Sequence, residues 1–228
     1  MYFDPTYFLY VALPTLILSA GVQFYLKATF AKWSQTRNSS GLNGMQVGQV
    51  LFNRTSLNAI PLERIPGSLT DHFDPGANIV RLSDSVGGQN SIAAMAVSAH
   101  ELGHVQQYQT GSGLIIMRSF LLPAVRFSPT VSYVAILMGL TLNITGLIWA
   151  GVFIFALMVM FSLLTLPVEI DASRRGLLLL KEAGLLENAS DATGARQVLI
   201  AAALTYLAAA ITSVLQLLYY VSLARRNR

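Results

Sequence analysis

The chain has 228 residues, of which 54% are hydrophobic and only 11% charged, and its mean hydropathy is positive. A soluble domain carries roughly 25% charged residues, so this composition excludes a wholly water-soluble protein and points to an integral membrane protein. The net charge of +4 comes from fifteen basic and eleven acidic residues spread thinly, which excludes a nucleic-acid footprint, and the absence of cysteine excludes disulfides and thiolate metal sites.

The first apolar run, Tyr7 to Leu26, has the length needed to cross about 30 Å of hydrocarbon, roughly 20 residues of helix. Asp4 precedes it and Lys27 follows it, where a cleaved signal would want basic residues first and small residues after, so it reads as an uncleaved transmembrane helix. From Lys27 to about Arg118 the composition turns ordinary. Ser39 to Gly44 reads as a loop leading into an amphipathic helix from Gly44 to Asn53, with Met45, Val47, Val50 and Leu51 inward. Leu69 to Phe73 and Asn78 to Ser83 flank Asp74-Pro75-Gly76-Ala77, which predicts a β-hairpin closed by a type II turn with Gly76 at the positive-φ position. Ser91 or Asn90 caps a helix that starts at Ile92, and Thr110 to Gly113 is its stop signal.

Beyond Arg118 two apolar runs, Val131 to Leu142 and Leu147 to Leu166, form a helical hairpin around Asn143 to Gly146. The first is short unless it recruits Phe120 to Phe127, where Pro123 and Arg126 are awkward. Pro167 to Arg175 continues the second helix, a polar connector reaches Arg196, and Val198 to Leu223 is the last apolar run. The expected architecture is a mainly α membrane protein with about four transmembrane helices and a small zincin-like α+β catalytic segment. It divides into an amino-terminal helix (1–26), the catalytic segment (27–118), the hairpin (119–167), a third-ligand helix and connector (168–196), and a last helix with a basic tail (197–228). Lys27, Lys32, Arg174, Arg175 and Lys181 fall on one side after four crossings, and the excess of positive charge places that side in the cytoplasm. Arg225, Arg226 and Arg228 at the tail run against that rule.

The chemistry concentrates in His100-Glu101-Leu102-Gly103-His104, which fits H-E-x-x-H. On a helix, positions i and i+4 share a face, so two imidazoles can meet one metal ion while Glu101 stands beside them as a base. Two of the three histidines of the chain are spent here. A catalytic zinc takes three protein ligands and leaves the fourth position open. Glu169 is the favoured third ligand, because a carboxylate at the end of an apolar helix is costly without a partner. Asp171 and His72 are the alternatives. Asp171 also fits an ion pair with Arg174 or Arg175, or the orientation of a histidine ligand, and His72 could instead stabilise an oxyanion. A fourth ligand from His72 would mark a structural metal in a non-enzymatic scaffold, and a hydrolase of non-peptide amides is a further alternative.

Three blocks carry a family resemblance: Ser91 to His104, the hairpin Thr70 to Pro75 with Val80 to Ser83, and Leu166 to Arg175. In this order they resemble the YugP family of neutral zinc metallopeptidases from bacterial membranes, and more distantly the HtpX and CAAX-prenyl-protease gluzincins. In the latter group the glutamate ligand sits in E-x-x-A-D. Here Glu169 keeps its place and Ser173 approximates the side of the aspartate. The resemblance implies a membrane-embedded zinc endopeptidase of bacterial cell membranes, with Zn2+ held by His100, His104 and Glu169. Zinc brings the pKa of bound water to about 7, and Glu101 takes the proton and passes it to the leaving amine. The expected partners are a peptide or protein substrate, itself membrane-associated or not, and the lipid bilayer. Asn78 to Ser83 is a candidate edge for aligning an extended substrate.

Overall fold

The computed structural model describes residues 4–227. The order of elements is α1 (Pro5–Ser34), α2 (Gly44–Arg54), β1 (Leu62–Ile65), β2 (His72–Asp74), β3 (Ile79–Ser83), α3 (Asp84–Gly87), α4 (Ile92–Gln109), α5 (Gly113–Thr141), α6 (Thr145–Glu182) and α7 (Ala189–Arg226). The chain separates into two compact units: 4–22, 116–167 and 205–227 in one, 23–115 and 168–204 in the other.

The first unit is built of apolar helix. By length and composition α1, α6 and α7 can each cross a membrane, and α5 joins them when its halves, Gly113–Pro123 and Val125–Thr141, count as one span bent by 48°. Proline explains the bend. Pro129 lacks the N–H that would bond the carbonyl of Val125, and its ring crowds that carbonyl. The stretch from Phe120 to Phe127 is therefore helical despite Pro123 and Arg126. Ile136, Ile148, Val152 and Ala224 form the buried cluster of this unit. Gly139 and Gly151 let the hairpin helices approach, since a Cβ on either would lie 2.6 Å from Ile148 or Ile136. At one end, Tyr219 donates its hydroxyl to Asp4 at 2.9 Å and Thr145 donates to the carbonyl of Asn227 at 2.6 Å.

The second unit holds the sheet and α4. Asn43 caps α2 and accepts from the Gln46 N–H at 2.9 Å, while the Gln46 side chain returns to the Asn43 N–H at 3.0 Å. Val47 and Leu51 of α2 are buried, as the apolar spacing requires. Ser91 caps α4 through the Ala94 N–H at 3.1 Å, and Gly111, at φ +64°, ends it. The core joins α2, β3 and α4 to Leu179, Leu180, Ala195 and Leu199.

Three expectations are corrected here. The sheet has three strands in the order β1-β3-β2, with β3 parallel to β1 and antiparallel to β2. The strand Ile79–Ser83 is therefore interior, paired on both sides, and offers no edge to a substrate. In the hairpin turn, Asp74 accepts from the N–H groups of Gly76 and Ala77 at 3.0 and 3.1 Å, and Asn78, at φ +51°, takes the left-handed position expected of Gly76. The polar connector is short. α6 runs on to Glu182 because Leu179 and Leu180 are core residues, and α7 begins at Ala189.

Candidate metal centre

Helix α4 is alanine-rich up to Ala99, and this lets it lie against α6 at backbone distance. A Cβ on Gly103 would fall 2.2 Å from the Ala172 carbonyl oxygen, and one on Gly176 would fall 2.6 Å from that of Ala99. The glycine inside the motif therefore makes room for the backbone of α6. That approach delivers Glu169 to the two histidines. Its Oε2 lies 3.3 Å from His100 Nε2 and 3.4 Å from His104 Nε2. The three donor atoms are mutually within 4.8 Å. Glu169 is 2% exposed, and Glu101 and His104 are 7% exposed.

The outer nitrogens of both rings are held. His100 Nδ1 lies 3.1 Å from Ser173 Oγ, and His104 Nδ1 lies 3.0 Å from Gln107 Oε1. Gln107 Nε2 donates to the Val168 carbonyl at 2.9 Å and to Asp171 Oδ2 at 2.8 Å, and Asp171 also binds Arg175 Nε at 2.7 Å. Both Nε2 atoms thus face inward. Burial opposes a charge on His104, but its hydrogen bond to Glu169 and the nearby Glu101 carboxylate outweigh that penalty and raise its pKa above the ordinary imidazole value. Asp71 shows the opposite balance: burial pushes its carboxyl up despite the hydrogen bonds it accepts from Ser83.

The donor set fits a zinc ion. Bonds of about 2.0–2.2 Å in a tetrahedral site separate ligand atoms by about 3.3–3.6 Å, the spacing found between Glu169 and each imidazole. Two neutral nitrogens and a carboxylate oxygen also match the ligand preferences of that ion.

Of the residues singled out by sequence, His100, His104 and Glu169 come together, with Glu101 buried beside them. His72 is exposed, bonds the Thr70 carbonyl through Nδ1 at 2.8 Å, and is not part of the cluster. Asp171 makes the ion pair with Arg175 and reaches His104 only through Gln107. Gln107 itself escaped the sequence reading. The available signal was a glutamine three positions after the second histidine, on a face that proves fully buried.

A predominantly helical chain with a small sheet, apolar spanning-length helices and a buried His-His-Glu centre has the features of a membrane-associated zinc hydrolase. The chain belongs to the family whose model matches residues 7–225 and is described as "Putative neutral zinc metallopeptidase". It is 37% identical over 221 residues, 97% of this chain and 98% of the relative, to the "Putative membrane protease YugP" of Bacillus subtilis (strain 168). No solved structure gives a significant match.

Proposed function

We propose that the chain is a multi-pass membrane endopeptidase that hydrolyses peptide bonds with zinc held by His100, His104 and Glu169 and with Glu101 as general base. The observation that carries this reading is the buried triangle of two imidazole nitrogens and one carboxylate oxygen, 3.3 and 3.4 Å along its Glu169 edges. Three protein ligands leave one position for water, the pattern of a catalytic rather than a structural site. When bound, zinc supplies the Lewis acidity that polarises a scissile carbonyl and brings the pKa of water to about 7. Glu101 takes a proton from the attacking water at its carboxylate and returns it to the departing amine nitrogen. Ser173 and Gln107 hold the imidazoles by their far nitrogens, so neither ring has to reorient during the reaction.

An extended substrate is aligned on the outer edge of β2, which pairs with β3 on one side only. Phe73 of that strand packs edge-on against Tyr108, one turn beyond His104, with ring centroids 5.6 Å apart. Four crossings account for the hydrogen bonds that gather Asp4, Thr145 and Asn227 at one end of the helices. Lys27, Lys32, Arg174, Arg175 and Lys181 then share the opposite side and outnumber the basic tail, and this excess of positive charge supports a site on the cytoplasmic side of a bacterial membrane. The test is metal analysis of the purified protein, paired with peptide-library cleavage by wild type and Glu101→Gln. About one zinc per chain in both forms, with cleavage only by wild type, is the expected result. A wild type that binds no zinc overturns the reading, and an active Glu101→Gln protein removes Glu101 from the mechanism.

A further inference from the structure

We propose that Gln107 is a positioning residue that fixes the proton of His104 on Nδ1 and ties that ligand to the helix bearing Glu169, with Asp171 and Arg175 as its anchor. The inference rests on the zinc site proposed above and concerns how the site is held ready.

A primary amide has one donor end and one acceptor end, and its surroundings decide which way it faces. Around Gln107 Nε2 stand two acceptors, the Val168 carbonyl at 2.9 Å and Asp171 Oδ2 at 2.8 Å. The donor end is thereby committed to α6, and Oε1 must face His104 Nδ1 at 3.0 Å. An acceptor there requires an N–H on Nδ1, which in the neutral ring that a metal needs puts the lone pair on Nε2, the nitrogen 3.4 Å from Glu169. Asp171 is held in turn by Arg175 Nε at 2.7 Å, so a charged pair one helical turn long sets the amide. Gln107 is fully buried, so water cannot substitute for either end. The Val168 carbonyl belongs to the residue before Glu169. One side chain therefore links the second histidine and the carboxylate ligand. Ser173, four residues after Glu169, makes the corresponding contact to His100.

The experiment measures zinc affinity by chelator competition, and the visible absorption of the Co2+-substituted protein, in wild type, Gln107→Leu, Asp171→Ala and the double variant Gln107→Glu/Asp171→Asn. Thermal melting of the metal-free forms accompanies it. Gln107→Leu keeps the volume and removes both ends of the amide, and should weaken zinc about 10–100-fold and change the Co2+ spectrum. Asp171→Ala removes one acceptor from a partly exposed position, and should weaken zinc by a smaller factor even where Gln107→Leu fails to fold. The double variant restores an acceptor for His104 and a donor at position 171 but leaves the Val168 carbonyl against a carboxylate oxygen, and should recover part of the affinity lost in Gln107→Leu. Wild-type affinity and an unchanged Co2+ spectrum in Gln107→Leu and Asp171→Ala would overturn the role of Gln107. A wild type that binds no zinc would instead overturn the metal site itself.

Discussion

Glu169 is the residue on which the centre turns, because its single Oε2 meets both imidazoles from a helix other than theirs. Glu169→Ala should lower zinc affinity by more than about 100-fold, beyond what loss of a supporting hydrogen bond costs, as measured by chelator competition. Glu101→Gln should leave that affinity in place and lower kcat by about 10²–10⁴, the contribution of a general base. The raised pKa of His104 gives a pH dependence with two signs. In the metal-free protein the protonated ring is stabilised by Glu169, so this contribution is full at low pH and is lost as pH rises through the raised pKa. Zinc must displace the same proton, so zinc affinity should fall as pH drops through that range. Melting curves with and without zinc should therefore diverge as the pH rises above the ordinary imidazole value. The three clustered side chains were legible in the sequence because histidines at i, i+4 and a carboxylate ending an apolar helix are local signals. Gln107 was not legible, because its role depends on the Val168 carbonyl and Asp171, more than sixty positions away.

Between elements, the decisive contact is the glycine-to-backbone approach of α4 and α6. Gly103→Ala would place a methyl 2.2 Å from the Ala172 carbonyl oxygen, and no flexible side chain is there to yield. Separation of the helices should cost about 1–3 kcal/mol and carry Glu169 away from the histidines, seen as a lower Tm together with weaker zinc binding. Local chemistry announced the ends of α4 and the hairpin: a serine cap, a glycine stop and a turn sequence. It did not announce β1, four residues with Glu63 and Arg64 exposed at their centre, whose pairing with β3 is parallel and non-local. Glu63 and Asp74 both bind Arg81, at 3.1 and 2.9 Å, so charge from the outer strands meets on the inner one. The type II turn was outcompeted by the Asp74 carboxylate, which satisfies two turn N–H groups itself.

For the whole molecule, the proposed four crossings would put Asn143 and Asn227 on one side of the membrane and Ser190, before the last apolar helix, on the other. The chain has no cysteine, so single cysteines can report on this directly. Asn143→Cys and Asn227→Cys should react with an impermeant maleimide from the same side of sealed vesicles, and Ser190→Cys from the opposite side. Labelling of Asn143 and Asn227 from different sides would refute four crossings. Composition alone disclosed the membrane. It left the status of α5 open, because a bend between Pro123 and Val125 divides an apolar helix into pieces that each look too short.

Glu169, Asp171 and Ser173 all lie on one short stretch of α6, and that has a consequence for synthesis. His104 leaves the ribosome 65 residues ahead of Glu169. At about 5–20 residues per second, that interval lasts about 3–13 seconds. Throughout it the nascent chain carries both histidines, Glu101 and Gln107 but neither the Glu169 carboxylate nor Ser173, which holds the His100 ring. Under the proposed function, the three-ligand site cannot be complete until the helix bearing Glu169 has been made.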